Sequence, residues 1–140
     1  MGDRCSFEIT FLASDLEKVT KEIGSPNYEE TVRTGVLRWE QDEVNYANYE
    51  EMQALARQGV VFIGSHGAGH EYPEGVFVGL EGQYLELLAV MGRPVLFLDE
   101  ATLTVKPASL VEVNEYRAMR DEALAVLGIT WDGKPLPERG

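Results

Sequence analysis

The apolar residues of this chain change period as one reads along it, and that alternation of rhythm limits the fold more than any other feature. From Phe7 to Leu12 the period is two: Phe7, Ile9 and Phe11 share one face, Glu8 and Thr10 the other. Such a pattern is a half-buried strand. Ser14 then opens a helix with Glu17 three residues on, a Ser-x-x-Glu box followed by an apolar stripe of Leu16, Val19 and Ile23 and a stop at Gly24. After a loop starting at Ser25-Pro26-Asn27, period two returns from Val36 to Val44, with Leu37 and Trp39 opposite Arg38 and Glu40. A second helix is expected from Asn48, with Glu51 in its first turn, Met52, Leu55 and Ala56 buried, and Gly59 as its end.

The run Val60–Ile63 is apolar on both sides, as a strand inside a sheet would be. Strands are further expected at Val76–Leu80, Tyr84–Val90 and Val95–Leu98, with reversals at Glu81-Gly82 and Met91–Pro94 and a short extended piece at Thr102–Val105. Ser109, with Glu112 three positions later, reads as the cap of a last helix whose stripe is Val113, Tyr116, Met119, Ala123, Val126 and Leu127, closed by Gly128. The expected fold is α+β: a two-layer sandwich of one mainly antiparallel sheet of five or six strands with three helices on one face, ferredoxin-like in part. Residues 1–129 read as a single domain and 130–140, with Pro135 and Pro137, as an irregular tail.

Apolar residues at 44% and charged residues at 26% are those of a chain that folds. One cysteine, Cys5, permits no internal disulfide, and no basic cluster near it would activate the thiol. No signal-peptide apolar region opens the chain and no apolar run is long enough to span a bilayer, so a cytoplasmic protein without membrane contact is expected.

Charge narrows the partners. Between Glu40 and Gly92 stand nine carboxylates and one basic residue, Arg57, so this stretch carries −8 of the net −12. Direct nucleic-acid binding is not expected, since phosphate neutralisation needs clustered Lys and Arg. A basic protein or nucleoprotein complex is the expected partner. The segment Trp39–Glu51 interleaves three aromatics with five carboxylates, the composition of an anchored and charge-rimmed interface. The expected contacts are Glu40, Asp42, Glu43, Tyr46, Tyr49, Glu50 and Glu51, with Glu71 and Glu74 as a second edge. The composition leaves a homodimer open.

The densest chemistry lies at Gly64-Ser65-His66-Gly67-Ala68-Gly69-His70-Glu71-Tyr72, which holds both histidines. The glycines oppose a helical His-x-x-x-His zinc motif, and neither a Lys-Ser/Thr ending nor a following helix supports a phosphate loop. A small-molecule or metal site using His66, His70 and Glu71, including an enzymatic one, is the alternative reading; the simpler one is a tight loop whose glycines take positive φ. No catalytic residue, cofactor or resident metal is assigned. Ser65 beside His66 is adjacency, not a triad.

The run from Tyr46 to Tyr72 resembles short proteins of phages and mobile elements. Small, acidic, cysteine-poor proteins of that type resemble inhibitors of host defence, anti-CRISPR and anti-restriction proteins, in which surface carboxylates occupy a basic nucleic-acid channel. That resemblance implies a non-enzymatic inhibitor of a nucleic-acid-handling complex; an immunity protein against a basic toxin would need the same acidic face.

Overall fold

In the computed structural model, which describes residues 3–136, the chain forms three α-helices and a seven-stranded antiparallel sheet with a separate two-stranded hairpin. The expected α+β class holds, with seven strands in the main sheet instead of five or six. Strands β1 (Arg4–Leu12), β2 (Tyr28–Arg33), β3 (Val36–Asn45) and β4 (Phe62–His66) alternate with helices α1 (Leu16–Ile23) and α2 (Tyr49–Arg57). Their order in the sheet is β2-β3-β1-β4, each neighbour antiparallel. That is the split β-α-β-β-α-β arrangement of ferredoxin-like folds.

Three further strands extend the sheet beyond β4: β5 (Gly75–Leu80), β6 (Gln83–Val90) and the two-residue β7 (Arg93–Pro94). The hairpin of β8 (Leu98–Asp99) and β9 (Thr104–Val105) precedes the long helix α3 (Pro107–Leu127). Helix α3 corrects the expected two-layer arrangement. Phe77 points with Phe7, Ile9, Phe11, Phe62, Met52 and Leu55 into one core, whereas its neighbours Val76 and Val78 pack with Tyr116 and Ala123 of α3. The period of two therefore puts α2 and α3 on opposite faces, and β5 is buried on both.

Phe11, Phe62, Phe77 and Ile9 are fully buried, and each such side chain contributes about 1.5–3 kcal/mol of apolar transfer. Glycines let the rings lie flat on the sheet. Phe62 stands across from Gly79, Phe77 across from Gly64 and His66 across from Gly75, and a Cβ at any of the three glycines would enter the facing ring. This ladder of rings over glycines continues from the core straight to the only buried histidine.

The local signals for caps and edges hold only in part. Ser14 lies in a 3₁₀ turn, Ala13–Asp15, and α1 has no side-chain cap. Ser109 sits inside the first turn of α3, where its hydroxyl accepts from Phe97 N–H at 2.9 Å instead of capping. Strand β2 falls where a loop is expected, because an exposed edge strand, Tyr-Glu-Glu-Thr-Val-Arg, shows no alternation. On α3, Leu124 is buried and Val126 is half exposed. After α3 the chain folds back: Thr130 N–H donates to Lys134 O, and Leu136 N–H to Gly128 O. The described part of the expected tail is thus bonded to the body, and residues 137–140 lie outside the described residues.

Candidate functional site: an aromatic cavity over His66 and Glu86

Where β4 ends, His66 is buried with both ring nitrogens engaged. Nδ1–H donates to the Gly67 carbonyl at 2.8 Å, and Nε2 lies 2.9 Å from Glu86 Oε1. The same carboxylate oxygen accepts from the Tyr84 hydroxyl at 3.1 Å. Glu86 and Tyr84 lie two apart on β6, on the face that Phe77 shares, so period two aims a charged group at the core edge. Burial alone would lower the pKa of His66. The hydrogen bond to Glu86, the Gly67 carbonyl and the charges of Glu86 and Glu74 outweigh it, and the net shift is upward. Acceptors stand at both nitrogens, the arrangement that favours the protonated ring beside a carboxylate.

Above this pair opens a cavity of about 320 Å³, walled by Tyr46, Tyr49, Tyr72 and Leu88 and carrying Glu74 and Glu86. Its rim is built by an unusual entry to α2. Tyr46, Ala47 and Asn48 are three consecutive non-glycine residues with φ of 49°, 55° and 54°. Each left-handed residue costs on the order of 1 kcal/mol or more. The geometry is held from both ends: Tyr46 N–H donates to Asp3 O at 2.7 Å, and buried Asn48 Nδ2 donates to Gln41 Oε1 at 3.0 Å. Gln41 in turn donates to the carbonyls of Ile23 and Ser25 at the end of α1. The outcome is that Tyr46 and Tyr49 remain 52% and 47% exposed beside the cavity.

The loop from Gly67 to Tyr72 is fastened by Asp3. Its carboxylate accepts from the backbone N–H groups of His70 and Glu71, each at 2.6 Å, and Tyr72 OH donates to its carbonyl at 3.0 Å. The His70 N–H bond in particular holds the Asp3 carboxyl below the usual range. The glycines here do not serve positive φ, as the sequence suggests: Gly67 and Gly69 lack it, and a Cβ would meet Ser6 Oγ at the first and the Tyr72 ring at the second. Close approach is their purpose.

The sequence-selected residues divide between the two faces. Tyr46, Tyr49 and Glu74 line the cavity, and Glu50 and Glu51 occupy the first turn of α2 next to Tyr49. Glu74 also fastens the β6–β7 turn, accepting from Met91 and Gly92 N–H. Glu40 lies on the opposite side of the sheet, where Arg38 meets it through Nη1 at 2.7 Å and pairs also with Glu8 through Nη1 and with Glu30 through Nη2. Glu43 pairs with Arg4 at 3.4 Å, and Asp42 is exposed between them. The nine carboxylates of the middle third therefore form no single patch, and two of the expected contacts already have cations.

His66, His70 and Glu71 do not assemble as a metal site. His66 is inside with its nitrogens occupied, His70 and Glu71 are exposed, and among the described residues no three His, Cys, Asp or Glu groups stand close enough to hold an ion. Ser65 and His66 point to opposite faces of β4, since His66 packs on Phe77 and Ser65 lines a cleft with Glu8, Thr10 and Tyr116. Sequence reasoning missed Glu86, Tyr84 and Asp3 as site residues. The available signal was a glutamate on the buried parity of an otherwise apolar strand, which requires a partner.

Among the described residues no helix is long and apolar enough to cross a membrane. No family model, curated protein or solved structure matches the chain.

Proposed function

We propose that the protein is a non-enzymatic interaction protein that binds a positively charged partner protein at the Tyr46–Tyr49 corner, seating a basic side chain in the cavity over Glu86. One observation carries this reading. Three tyrosines wall the cavity, two of them, Tyr46 and Tyr49, half exposed, and Glu86 Oε2 has no hydrogen-bond partner among the described residues. An ammonium or guanidinium gains from aromatic faces and from an open carboxylate oxygen together. Glu50, Glu51 and Glu71 around it would steer the approach, and the net charge of −12 adds to the long-range attraction.

His66 supports the non-enzymatic side of the reading. Its two ring nitrogens are turned to the Gly67 carbonyl and Glu86 inside the protein, and neither faces a substrate position. An inhibitor of a nucleic-acid-handling host complex, as the resemblance to phage proteins implies, and an immunity protein against a basic toxin would both use such a corner. Cytoplasmic placement fits either.

Panning a library of random dodecapeptides against the immobilised protein tests the proposal directly, whatever the partner. Enrichment of lysine and arginine, lost on Tyr46→Ala/Tyr49→Ala protein, is the expected result. Recovered peptides with no basic enrichment, or equal recovery on that variant, would overturn it. A free small organic cation in the same cavity is the second reading, favoured by its tyrosine walls beside Glu74 and Glu86. It predicts that arginine methyl ester alone shifts the Tyr49, Tyr72 and Glu86 resonances at millimolar concentration, with no peptide required.

A further inference from the structure

The groove beside this cavity runs along an open sheet edge. The β5–β6 turn has both central residues, Glu81 and Gly82, at positive φ, 50° and 80°, a two-residue hairpin that closes on the Leu80–Gln83 pair. Counting from that pair, Gln83, Leu85 and Leu87 direct their backbone groups to β5, and Tyr84, Glu86 and Leu88 direct theirs outward. At Leu88 the outward side is filled, because Val95 N–H donates to its carbonyl at 3.1 Å. Strand β7 pairs only with Ala89 and Val90. Among the described residues, Tyr84 and Glu86 are left with backbone donors and acceptors facing no strand.

Proteins usually blunt such an edge with lysine, proline or a bulge. The other outer strand, β2, follows the rule: it is charged, exposed and broken in register between Thr31 and Arg33. Over Gln83–Leu87 there is no lysine, no proline and no register shift. A second cavity of about 420 Å³ lies along this stretch, between Tyr49, Gln53 and Arg57 of α2 and Tyr84–Glu86 of β6. Tyr49 and Glu86 border both this cavity and the first, so the two lie side by side along β6.

We propose that an extended segment of a basic partner protein adds to the outer edge of β6 as an eighth strand, bonding the backbone of Tyr84 and Glu86 and placing an alternate lysine or arginine in the cavity over Glu86. The proposal rests on the reading above and names the conformation in which the partner is taken. A strand is the one conformation whose backbone meets an open edge while every second side chain enters the groove. Charge selects the occupant: a second copy would bring −12 against −12, and a basic segment meets Glu74 and Glu86.

The test uses a synthetic peptide alternating lysine with valine, together with any peptides recovered by panning, and reads backbone amide exchange by NMR. Saturating peptide is expected to slow exchange at Tyr84 and Glu86 by at least about tenfold. N-methylation of peptide amides on one parity is expected to weaken binding by about tenfold or more, and on the other to leave it within about twofold. Binding with exchange at Tyr84 and Glu86 unchanged and no N-methyl parity would overturn strand addition and leave the basic-partner reading standing. Failure of every basic peptide to bind at low salt would remove that underlying reading as well. Protection that rises with protein concentration in the absence of peptide would assign the edge to a second copy and overturn the proposal.

Discussion

Buried His66 Nε2 lies 2.9 Å from Oε1 of the partly buried Glu86, and the second nitrogen of the same ring is already spent on the Gly67 carbonyl. The floor of the cavity is therefore a histidine whose two ring nitrogens are both engaged inside the protein. Two strands that are not neighbours, β4 and β6, are tied across β5 by it.

That pair sets a pH dependence with a definite sign. The folded-state pKa of His66 is raised above its ordinary 6.5. Its stabilisation is complete below pH 6.5 and is lost as pH rises through the higher folded value. Urea midpoints measured across this range are expected to fall for the wild type and to stay flatter for His66→Gln. Glu86→Gln is expected to cost about 1–3 kcal/mol, since it weakens the acceptor shared by His66 and Tyr84. Parallel pH profiles for wild type and His66→Gln would show the ring to be uncharged.

Arg38 anchors three carboxylates, Glu8, Glu30 and Glu40, and lies over the Tyr28 ring at 5.8 Å. Arg38→Ala is expected to destabilise by about 1–2 kcal/mol, because it removes the cation and leaves like charges facing across β1, β2 and β3. The loss should shrink as salt is raised and should be partly restored by adding Glu30→Gln and Glu40→Gln. A penalty indifferent to both would mean that packing of the arginine stem, not charge, is what was removed.

Two glycines separate steric from conformational demand. At Gly64 an added methyl would collide with the Glu8 carbonyl and the Phe77 ring, in the middle of the sheet. At Gly82 nothing lies within 4 Å, and the φ of 80° is the sole objection. Thermal unfolding should show Gly64→Ala losing about 3 kcal/mol or more and Gly82→Ala only about 1 kcal/mol. Equal losses would mean that the rings do not depend on the glycines beneath them.

What is legible in the chain is what depends on neighbours in sequence. The alternation at Phe7, Ile9 and Phe11 places β1, and the stripe at Met52, Leu55 and Ala56 places the buried face of α2. Strand β2 escapes because an edge strand buries neither face and so carries no period. The position of α3 escapes for a related reason: Val76 and Phe77 are both buried, and a strand apolar on both sides does not say which helix covers which. Half of the site is in view, since Tyr46, Tyr49, His66 and Glu74 all stand out from the sequence. Glu86 and Asp3 do not, because their roles arise from contacts 20 and 67 residues away. The count of acids is right as a number and misleading as one surface. Glu40 and Glu43 lie across the sheet from Glu50 and Glu51 and are held by Arg38 and Arg4.

The left-handed entry to α2 has its own consequence. Asn48 holds that turn through Gln41, so Asn48→Ala is expected to lose about 1–2 kcal/mol and to weaken peptide binding together with stability. Ala47→Gly removes a left-handed alanine and is expected to be neutral or stabilising by up to about 1 kcal/mol. A loss from Ala47→Gly as large as that from Asn48→Ala would contradict the strain assigned to this turn.

Calorimetry with one basic peptide on two variants decides which acidic face the partner meets. Tyr46→Ala/Tyr49→Ala, at the cavity rim, is expected to weaken binding by at least about tenfold, and Asp42→Lys/Glu43→Lys, on β3, to change it by no more than about threefold through long-range charge. Loss of binding in the β3 variant with the tyrosine variant intact would contradict docking at the cavity and return the interface to the other face of the sheet.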